Sequence, residues 1–262
     1  MTAKSPVIIA IANNKGGVGK TTTAVSLAAA LAGPRRKVLL VDLDSQASAS
    51  LWLGVDRGRL RPSAGSCLLH DFPIVEAIRA TRVAHLDLLT GSLELANADL
   101  ALADTKGREV VLKNLLQRVH PRYELVVLDC PPSLSLIAVN ALVAADGLIV
   151  PLCPQFLAAE GLVNLLGSLE TVRNRLGTKG QLLGIVFTMV DAGGSTSRAV
   201  RARLRTQFGD GIFRTEILMS RAMEEAPARS RTIFEHAPRS RAATAYHRLA
   251  GEVLQRLRSL TP

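Results

Sequence analysis

Residues 13–23, with the sequence Asn-Asn-Lys-Gly-Gly-Val-Gly-Lys-Thr-Thr-Thr, bring glycines, lysines and hydroxyl side chains together directly after the apolar run 7–12. A strand that ends in a glycine-rich turn and opens into a helix directs several backbone N–H groups and the positive end of the helix dipole at one point. Glycine lets such a turn adopt positive φ and approach oxygen atoms without a Cβ in the way. The pattern therefore predicts a phosphate-binding loop. Its backbone is supplied by Gly16, Gly17, Val18 and Gly19.

The side chains of this loop have separate tasks. Lys20 places a positive charge beside the β- and γ-phosphates, Thr21 offers a hydroxyl to Mg²⁺, and the nucleotide-binding stretch ends at Thr22. Against the common pattern G-x-x-x-x-G-K-[ST], Asn14 stands where the first glycine is expected, so the loop is a variant. Lys15 adds a second charge at the front of the loop. That charge is useful if it serves a phosphate other than the one that its own loop holds.

Aspartates follow two of the predicted strands. Residues 37–41 form a buried strand that delivers Asp42 and Asp44 to the edge where open α/β sheets bind ligands. Residues 123–129 form an apolar strand ending at Asp129, the form of a Walker B strand, whose carboxylate reaches Mg²⁺, usually through water. Asp44 is the candidate for the Mg²⁺ shell or for orienting a water, because Mg²⁺ takes few protein carboxylates. Asp42 is left open between such a role and that of a strand-end or helix-capping carboxylate. The candidate metal residues are Thr21, Asp44 and Asp129.

These side chains require an α/β fold to position them. At 262 residues the chain fits one large domain, and we assign residues 1–262 to a single P-loop NTPase domain. Hydrophobic residues make up 48% of the chain and aromatic residues only 3%, which indicates a core of Val, Leu, Ile and Ala. Such a core is typical of a mostly parallel, twisted sheet with helices on both faces.

Apolar runs and helix breakers predict the remaining elements. Helices are expected over residues 20–32, 74–80, 110–119, 136–145 and 157–176, and strands over 86–90, 147–151 and 182–191. Trp52 is assigned to the core and Cys130 to packing, whereas His70 and His85 are assigned to surface or packing positions.

The cysteines and the apolar runs indicate the cellular compartment in which the protein is expected. Cys67, Cys130 and Cys153 fit no metal spacing and leave one thiol unpaired in any disulfide scheme, which favours a reducing cytoplasm. Residues 1–5 contain no apolar signal core, and no run of about eighteen apolar residues occurs. Secretion and membrane spanning are therefore not expected.

The net charge of +10 is concentrated near the end of the chain. From Asp191 onward there are thirteen arginines, no lysine and seven acidic residues, with the first arginines on a predicted helix and the later ones mainly on loops around residues 225–227. Arginines without interleaved aromatic residues suit phosphate contacts on duplex DNA better than stacking on single strands. The alternative is that they pair with nearby carboxylates or keep the protein soluble. The candidate DNA-binding residues are Arg198, Arg201, Arg205, Arg221, Arg229, Arg231, Arg239 and Arg241.

Residues 15–22, Lys-Gly-Gly-Val-Gly-Lys-Thr-Thr, resemble the deviant Walker A motif of the ParA/MinD family of ATPases. Residues 42–46 are similar to the family's D-x-D-P-Q element, with Ser45 in place of its proline, and residues 129–133 to its D-x-P-P-S element. Residues 217–227 resemble the C-terminal segment of chromosomal, Soj-type ParA proteins. The arginine that the family carries in this segment aligns with Ala222 of this chain. Arg221, one position earlier, would be its shifted substitute.

The resemblance implies roles for individual residues. Lys15 would reach across a nucleotide-sandwich dimer to the partner's ATP, and Asp44 would be the residue associated with hydrolysis. The catalytic set is then Lys15, Lys20 and Asp44. Further nucleotide contacts are expected at Met189, Asp191 and Pro227, the first two of them near the adenine.

The resemblance also implies an ATP hydrolase of weak intrinsic activity that uses ATP and Mg²⁺ and forms a homodimer on ATP binding. Such a dimer binds double-stranded DNA without sequence preference, and a ParB-like partner stimulates hydrolysis. The cycle positions chromosomes, plasmids or other cargo, and we expect a cytoplasmic, nucleoid-associated protein. No helix-turn-helix extension precedes Val7, so autorepression through sequence-specific binding is not expected.

Two alternative functions remain. A MinD-like ATPase would switch on a membrane through a C-terminal amphipathic helix, and residues 246–260 carry an apolar stripe at helical spacing. A stripe of this kind is more often the last helix packed on the sheet, so we expect no membrane partner. A metabolic enzyme or iron–sulfur reductase on the same fold is the other alternative, although the chain has no paired cysteine motif.

Overall fold

The computed structural model describes residues 5–119, 121–133, 135–155 and 158–260. The strands within these ranges are β1 (Val7–Ile11), β2 (Val38–Asp42), β3 (Arg79–Ala80), β4 (Leu86–Leu89), β5 (Leu125–Asp129), β6 (Gly147–Leu152) and β7 (Gln181–Phe187). They form a sheet in the order β3-β4-β2-β5-β1-β6-β7. Of these strands, β3 pairs antiparallel with β4 and the others pair in parallel. The carboxyl ends of β1, β2 and β5 therefore meet at one edge.

Helices connect these strands and follow the last of them. They are α1 (Lys20–Leu31), α2 (Ser48–Trp52), α3 (Ala64–Leu69), α4 (Ile74–Ala77), α5 (Ala98–Ala101), α6 (Val111–Gln117), α7 (Leu136–Ala144), α8 (Ala158–Leu176), α9 (Ser195–Phe208), α10 (Arg221–Ala228), α11 (Ile233–His236) and α12 (Arg241–Leu260). The first of them, α1, is rich in alanine and leucine, which favour helix, and it ends just before Gly33 and Pro34. It begins at Lys20, so the phosphate loop lies at its N-terminus.

Alternate residues of the central strands face opposite layers of the core. Ile9 and Ile11 of β1 pack in the layer that contains α1 and α12, whereas Ala10 packs in the layer that contains α6 and α7. Both layers consist mainly of aliphatic side chains. The predicted α/β class, with a mostly parallel sheet covered on both faces, is confirmed.

The apolar stripe near the C-terminus belongs to the core. Tyr246, Leu249 and Val253 of α12 are fully buried, and Leu257 is 7% exposed. They pack in the same layer as α1. This is the packed last helix that the sequence favours, and the stripe is not available to a membrane surface. The side chain of Leu260, the last member of the predicted stripe, lies outside the described residues.

Several boundaries differ from those predicted. The helix expected over residues 74–80 ends at Ala77, and Arg79–Ala80 instead form β3 beside β4. The strand expected over 182–191 ends at Phe187. Residues 225–227, expected in a loop, lie in α10, where Pro227 falls in the last turn. Residue 157, the expected start of α8, lies outside the described residues.

Candidate nucleotide and magnesium site

The phosphate loop leaves β1 and enters α1 through glycines with left-handed backbone. Gly17 has a φ of 69° and Gly19 a φ of 81°, a region that glycine adopts because it has no Cβ. The Thr188 hydroxyl donates a 2.8 Å hydrogen bond to the Val18 carbonyl and fixes the loop to the segment after β7. A Cβ placed on Gly16 or Gly17 would meet no described atom within 4 Å. That side of the loop is open to phosphate oxygens.

The two lysines of the loop have different surroundings. Lys20 is 7% exposed, and its ammonium group donates a 3.0 Å hydrogen bond to the Lys15 carbonyl. Burial lowers the pKa of Lys20, while the carboxylates of Asp129 and Asp44 raise it. Lys15 is exposed, and its ammonium group donates a 2.9 Å hydrogen bond to Oε1 of Gln155. Lys20 is therefore held against its own loop, whereas Lys15 is bonded to the segment after β6.

Asp42 and Asp129 end neighbouring strands and are paired in register. Both are fully buried. Oδ2 of Asp42 accepts the backbone N–H of Ser50 at 2.9 Å and its hydroxyl at 2.7 Å. Burial raises the pKa of Asp42, and the hydrogen bonds from Ser50 lower it. Asp42 anchors the first turn of α2, as expected of a strand-end or helix-capping carboxylate, while a role in the Mg²⁺ shell stays a prediction.

Asp129 has the surroundings of a metal ligand. Neither of its carboxylate oxygens has a hydrogen-bond partner of good geometry among the described residues. Burial raises the pKa of Asp129 well above its usual range and the Asp42 carboxylate raises it further, while the Thr21 hydroxyl and Lys20 lower it. A buried carboxylate without partners is destabilising, and a divalent cation would offset that penalty. Asp129 and Thr21 fit Mg²⁺, which keeps several waters and needs few protein oxygens.

Asp44 lies half-buried in the loop after β2, where its Oδ1 accepts the Gln46 N–H at 2.9 Å. Gly91, just beyond β4, packs against this loop so closely that a Cβ there would lie 2.6 Å from the Asp44 carbonyl oxygen. The Gly91 N–H donates to Oγ of Ser50 at 3.0 Å. Ser50 and Gly91 were not predicted as site residues, although a serine following the acidic loop and a glycine following an apolar strand were visible signals.

The residues expected to contact the nucleotide outside the phosphate loop lie in different places. Met189 is 40% exposed and has a φ of 50°, and its Cε would be 3.7 Å from a Cβ placed on Gly19. Met189 therefore borders the phosphate loop. Oδ1 of exposed Asp191 accepts the Gly193 N–H at 3.0 Å. The carbonyl of Pro227 accepts the Ser230 N–H at 2.9 Å. Base contacts by Met189 and Asp191, and a nucleotide contact by Pro227, stay predictions.

The eight candidate DNA-binding arginines divide into two groups. Arg201 and Arg205 pair with Glu216 at 2.6 and 2.9 Å. Arg221 and Arg229 pair with Glu225 at 2.8 and 3.8 Å, so the carboxylate-pairing alternative holds for half of the set. The other four are exposed and form no ion pair with any described residue. They are Arg198, Arg231, Arg239 and Arg241.

The described ranges contain neither a cluster of metal-ligating side chains nor a helix that could span a membrane. No group of three or more His, Cys, Asp and Glu side chains there could hold a metal ion. Among the helices that the structure describes, none has the length and apolar character needed to cross a membrane.

Comparisons with known proteins agree with this geometry. Residues 6–182 match a family model described as an AAA domain. The chain is 39% identical over 246 residues to the sporulation initiation inhibitor protein Soj of Bacillus subtilis, covering 94% of this chain and 97% of that protein. It is 43% identical over 251 residues to the chromosome-partitioning ATPase Soj of Thermus thermophilus, covering 95% and 96%.

A solved structure is also similar. The protein named cobyrinic acid a,c-diamide synthase from Mycobacterium smegmatis, with bound ATP analog and magnesium, superposes with a TM-score of 0.85 at 32% identity, covering 97% of this chain and 96% of that one. The likenesses in sequence span nearly the whole chain and include the variant phosphate loop. The chain therefore belongs to the ParA/MinD family of deviant Walker A ATPases.

Proposed function

We propose that the chain is a DNA-segregation or cargo-positioning ATPase whose ATP-bound homodimer binds duplex DNA. As a member of this family it hydrolyses ATP and uses Mg²⁺. A relative is named as a chromosome-partitioning ATPase, and this supports a role in DNA segregation.

The phosphate site supplies the parts for hydrolysis. The loop glycines would cradle the triphosphate, Lys20 would neutralise its β- and γ-oxygens, and Thr21 and Asp129 would hold the metal ion. Mg²⁺, when bound, neutralises charge that develops on the transferred phosphoryl group. Asp44 orients the attacking water from the loop beside this site. The negative charge of Asp44 raises the pKa of Lys20, which supports a position of Asp44 beside the phosphate loop.

The observation that carries the proposal is the position of Lys15. Its ammonium group bonds to Gln155 and not to its own loop, whose interior charge is supplied by Lys20. An exposed ammonium group at the mouth of the loop, bonded to Gln155 alone among the residues that the structure describes, is free to act on a second triphosphate that faces it. Two chains that close face to face would then each stabilise the other's ATP, which makes dimerisation depend on the γ-phosphate.

The dimer would present the basic C-terminal regions of both chains to DNA. Each arginine–phosphate contact adds affinity without sequence choice. Hydrolysis, stimulated by a ParB-like partner, opens the dimer and releases the DNA. Association with the nucleoid and movement of a chromosome, plasmid or other cargo follow from this cycle.

The test is binding of a random-sequence duplex with ATP, with ADP and without nucleotide, each at two salt concentrations. We expect binding that requires ATP, ignores sequence and weakens steeply with salt. The absence of binding in every nucleotide state would overturn the proposal. Anionic liposomes in place of the duplex would then test the membrane-switching alternative.

A further inference from the structure

The hydroxyl group of Ser50 in α2 lies between the end of β2 and the segment that follows β4. It donates a 2.7 Å hydrogen bond to Oδ2 of Asp42 and accepts the Gly91 N–H at 3.0 Å. Ser50 is fully buried, and its backbone N–H donates to the same Asp42 oxygen at 2.9 Å. One side chain therefore joins a strand end, the first turn of a helix and the segment after the neighbouring strand.

These bonds close the acidic loop, which consists of residues 43–47 and carries Asp44. Oδ1 of Asp42 accepts the Asp44 N–H at 3.2 Å, while Oδ2 is held by Ser50. Inside the loop, the Asp44 carbonyl accepts the Ala47 N–H at 3.0 Å. Ala47 has a φ of 54°, which is uncommon for a residue with a Cβ. The loop is thus a short turn whose two ends are bonded to one carboxylate.

The segment beside the acidic loop is itself held in place. Thr90 is fully buried, and its carbonyl accepts the Ala64 N–H at 2.8 Å. A Cβ placed on Gly91, the next residue, would lie 2.6 Å from the Asp44 carbonyl oxygen. The acidic loop therefore rests against a fixed wall, and a hydrogen bond to the Ser50 hydroxyl joins this wall to the helix that ends the loop.

The Ser50 hydroxyl is separate from the groups that would bind phosphate. Its partners are Asp42 and Gly91, and among the described residues it forms no hydrogen bond with residues 16–22. Loss of this hydroxyl would leave the buried Gly91 N–H without its acceptor and Oδ2 of Asp42 with one bond fewer. The disturbance would fall on the acidic loop, and the phosphate loop would keep its own contacts.

We infer that Ser50 is a positioning residue for ATP hydrolysis, which holds the acidic loop so that Asp44 can orient the attacking water. This inference rests on the role that the proposed function gives to Asp44. Catalysis of this kind depends on distance, and a displacement of about 1 Å can lower a rate by about 100-fold. A loop that is free to shift should therefore slow the chemical step and leave the affinity for ATP close to that of the wild type.

The test measures the rate of ATP hydrolysis under single-turnover conditions and, separately, the affinity for ATP. Ser50→Ala should lower the rate by at least about tenfold and change the affinity by less than about twofold. Ser50→Thr keeps the hydroxyl and should retain most of the activity. Ser48→Ala is the matched control, because Ser48 lies on the same helix, is exposed and forms no side-chain hydrogen bond with a described residue. It should hydrolyse ATP as the wild type does.

A second arm asks whether Ser50 acts through Asp44. In the Asp44→Ala background, Ser50→Ala should cause no further loss of rate, since the group that Ser50 positions is already absent. A general effect on stability would instead lower the rate by the same factor in both backgrounds. Thermal melting checks that each variant is folded. If Ser50→Ala does not fold, Ser50→Cys takes its place, because a thiol fills the same space but forms only weak hydrogen bonds.

The outcomes separate this inference from the proposed function. If Asp44→Ala is slow and Ser50→Ala hydrolyses ATP at the wild-type rate, Ser50 is not a positioning residue and the role of Asp44 stands. Equal losses from Ser50→Ala in both backgrounds, or a Ser50→Thr protein as slow as Ser50→Ala, would also overturn the inference. If Asp44→Ala hydrolyses ATP normally, the role proposed for Asp44 fails, and the inference fails with it.

Discussion

The indole N–H of Trp52 donates a 2.7 Å hydrogen bond to the backbone carbonyl of Arg231. Trp52 is the last residue of α2 and is 4% exposed. Two residues earlier in the same helix, Ser50 donates to the carboxylate of Asp42. The short helix α2 is therefore bonded both to the strand end at the magnesium site and to the segment that joins α10 to α11.

Trp52→Phe should lower the free energy of unfolding by about 1–3 kcal/mol, because it leaves the Arg231 carbonyl unpaired and removes part of a buried ring. Urea denaturation followed by circular dichroism measures the change. Leu100→Ala, at a position that is 82% exposed, is the control and should stay within about 0.5 kcal/mol of the wild type. Equal stabilities of the Trp52→Phe variant and the wild type would show that this contact contributes nothing.

The two lysines of the loop should respond differently to the same substitution. Lys20→Ala should weaken ATP binding by about 10- to 100-fold, since a charged hydrogen-bond donor to phosphate is lost, and should abolish ATP-dependent dimerisation. Lys15→Ala should bind ATP as a monomer but fail to dimerise. A fluorescent ATP analogue measures binding, and size-exclusion chromatography measures dimerisation. A Lys20→Ala protein that still dimerises with ATP would make the loop assignment wrong.

Asp44→Ala should reduce the rate of ATP hydrolysis by at least about 100-fold, because the group that orients the water is lost. Its affinity for ATP should stay close to that of the wild type. Phosphate release under single-turnover conditions measures the chemical step. Ser45→Ala, at the adjacent position, is the control and should hydrolyse ATP normally. Normal hydrolysis by Asp44→Ala would remove Asp44 from the catalytic set.

Asp129→Asn should change thermal stability with opposite signs in two conditions. Without nucleotide and metal, the variant should melt at a higher temperature, because a buried carboxylate with a raised pKa is replaced by a neutral group of similar shape. With Mg²⁺ and ATP the wild type should gain stability and the variant should gain much less. Calorimetry tests both parts. A variant that melts lower alone and keeps the full gain would contradict a metal-binding role.

Alkaline pH should destabilise the fold through its tyrosines. The chain has two, Tyr123 and Tyr246, and both are buried. Burial raises the pKa of both, to about 12 for Tyr246. The stability that this provides is complete below the unfolded pKa of about 10 and is lost as the pH rises through the folded value. Between these values, the native protein should show less phenolate absorbance than the protein in urea, and Tyr246→Phe should reduce the difference. Equal titration curves in the two states would refute the prediction.

The sequence predicted the phosphate loop and the acidic strand ends because their determinants are local. Gly17, Gly19 and Lys20 define the turn within a few residues of one another, and Asp129 is the last residue of its own apolar strand. Parallel strands then place these ends at one edge of the sheet. Only the register of β2 against β5 was needed to bring Asp42 beside Asp129.

Contacts between segments that are far apart along the chain could not be predicted from the sequence. Arg79–Ala80 continue a helical pattern, yet pairing with β4 makes them a strand. The positions of Glu216 and Glu225 decide which arginines are ion-paired. An arginine beside one of these carboxylates is neutralised, whereas an arginine elsewhere on the surface keeps its charge exposed. Gly91 follows an apolar strand, but its close approach to Asp44 depends on how that strand end packs against the loop after β2, a contact between segments far apart in sequence.

The hydrogen bond between Trp52 and Arg231 also has a practical consequence, because the chain contains a single tryptophan. Its fluorescence originates from one buried indole that lies between the acidic loop and the C-terminal basic segment. The emission of the unlabelled wild-type protein therefore reports on the contact between α2 and the segment that joins α10 to α11. A change in that emission when nucleotide is added would show, without a dye and without a mutation, that the surroundings of this indole respond to the phosphate site.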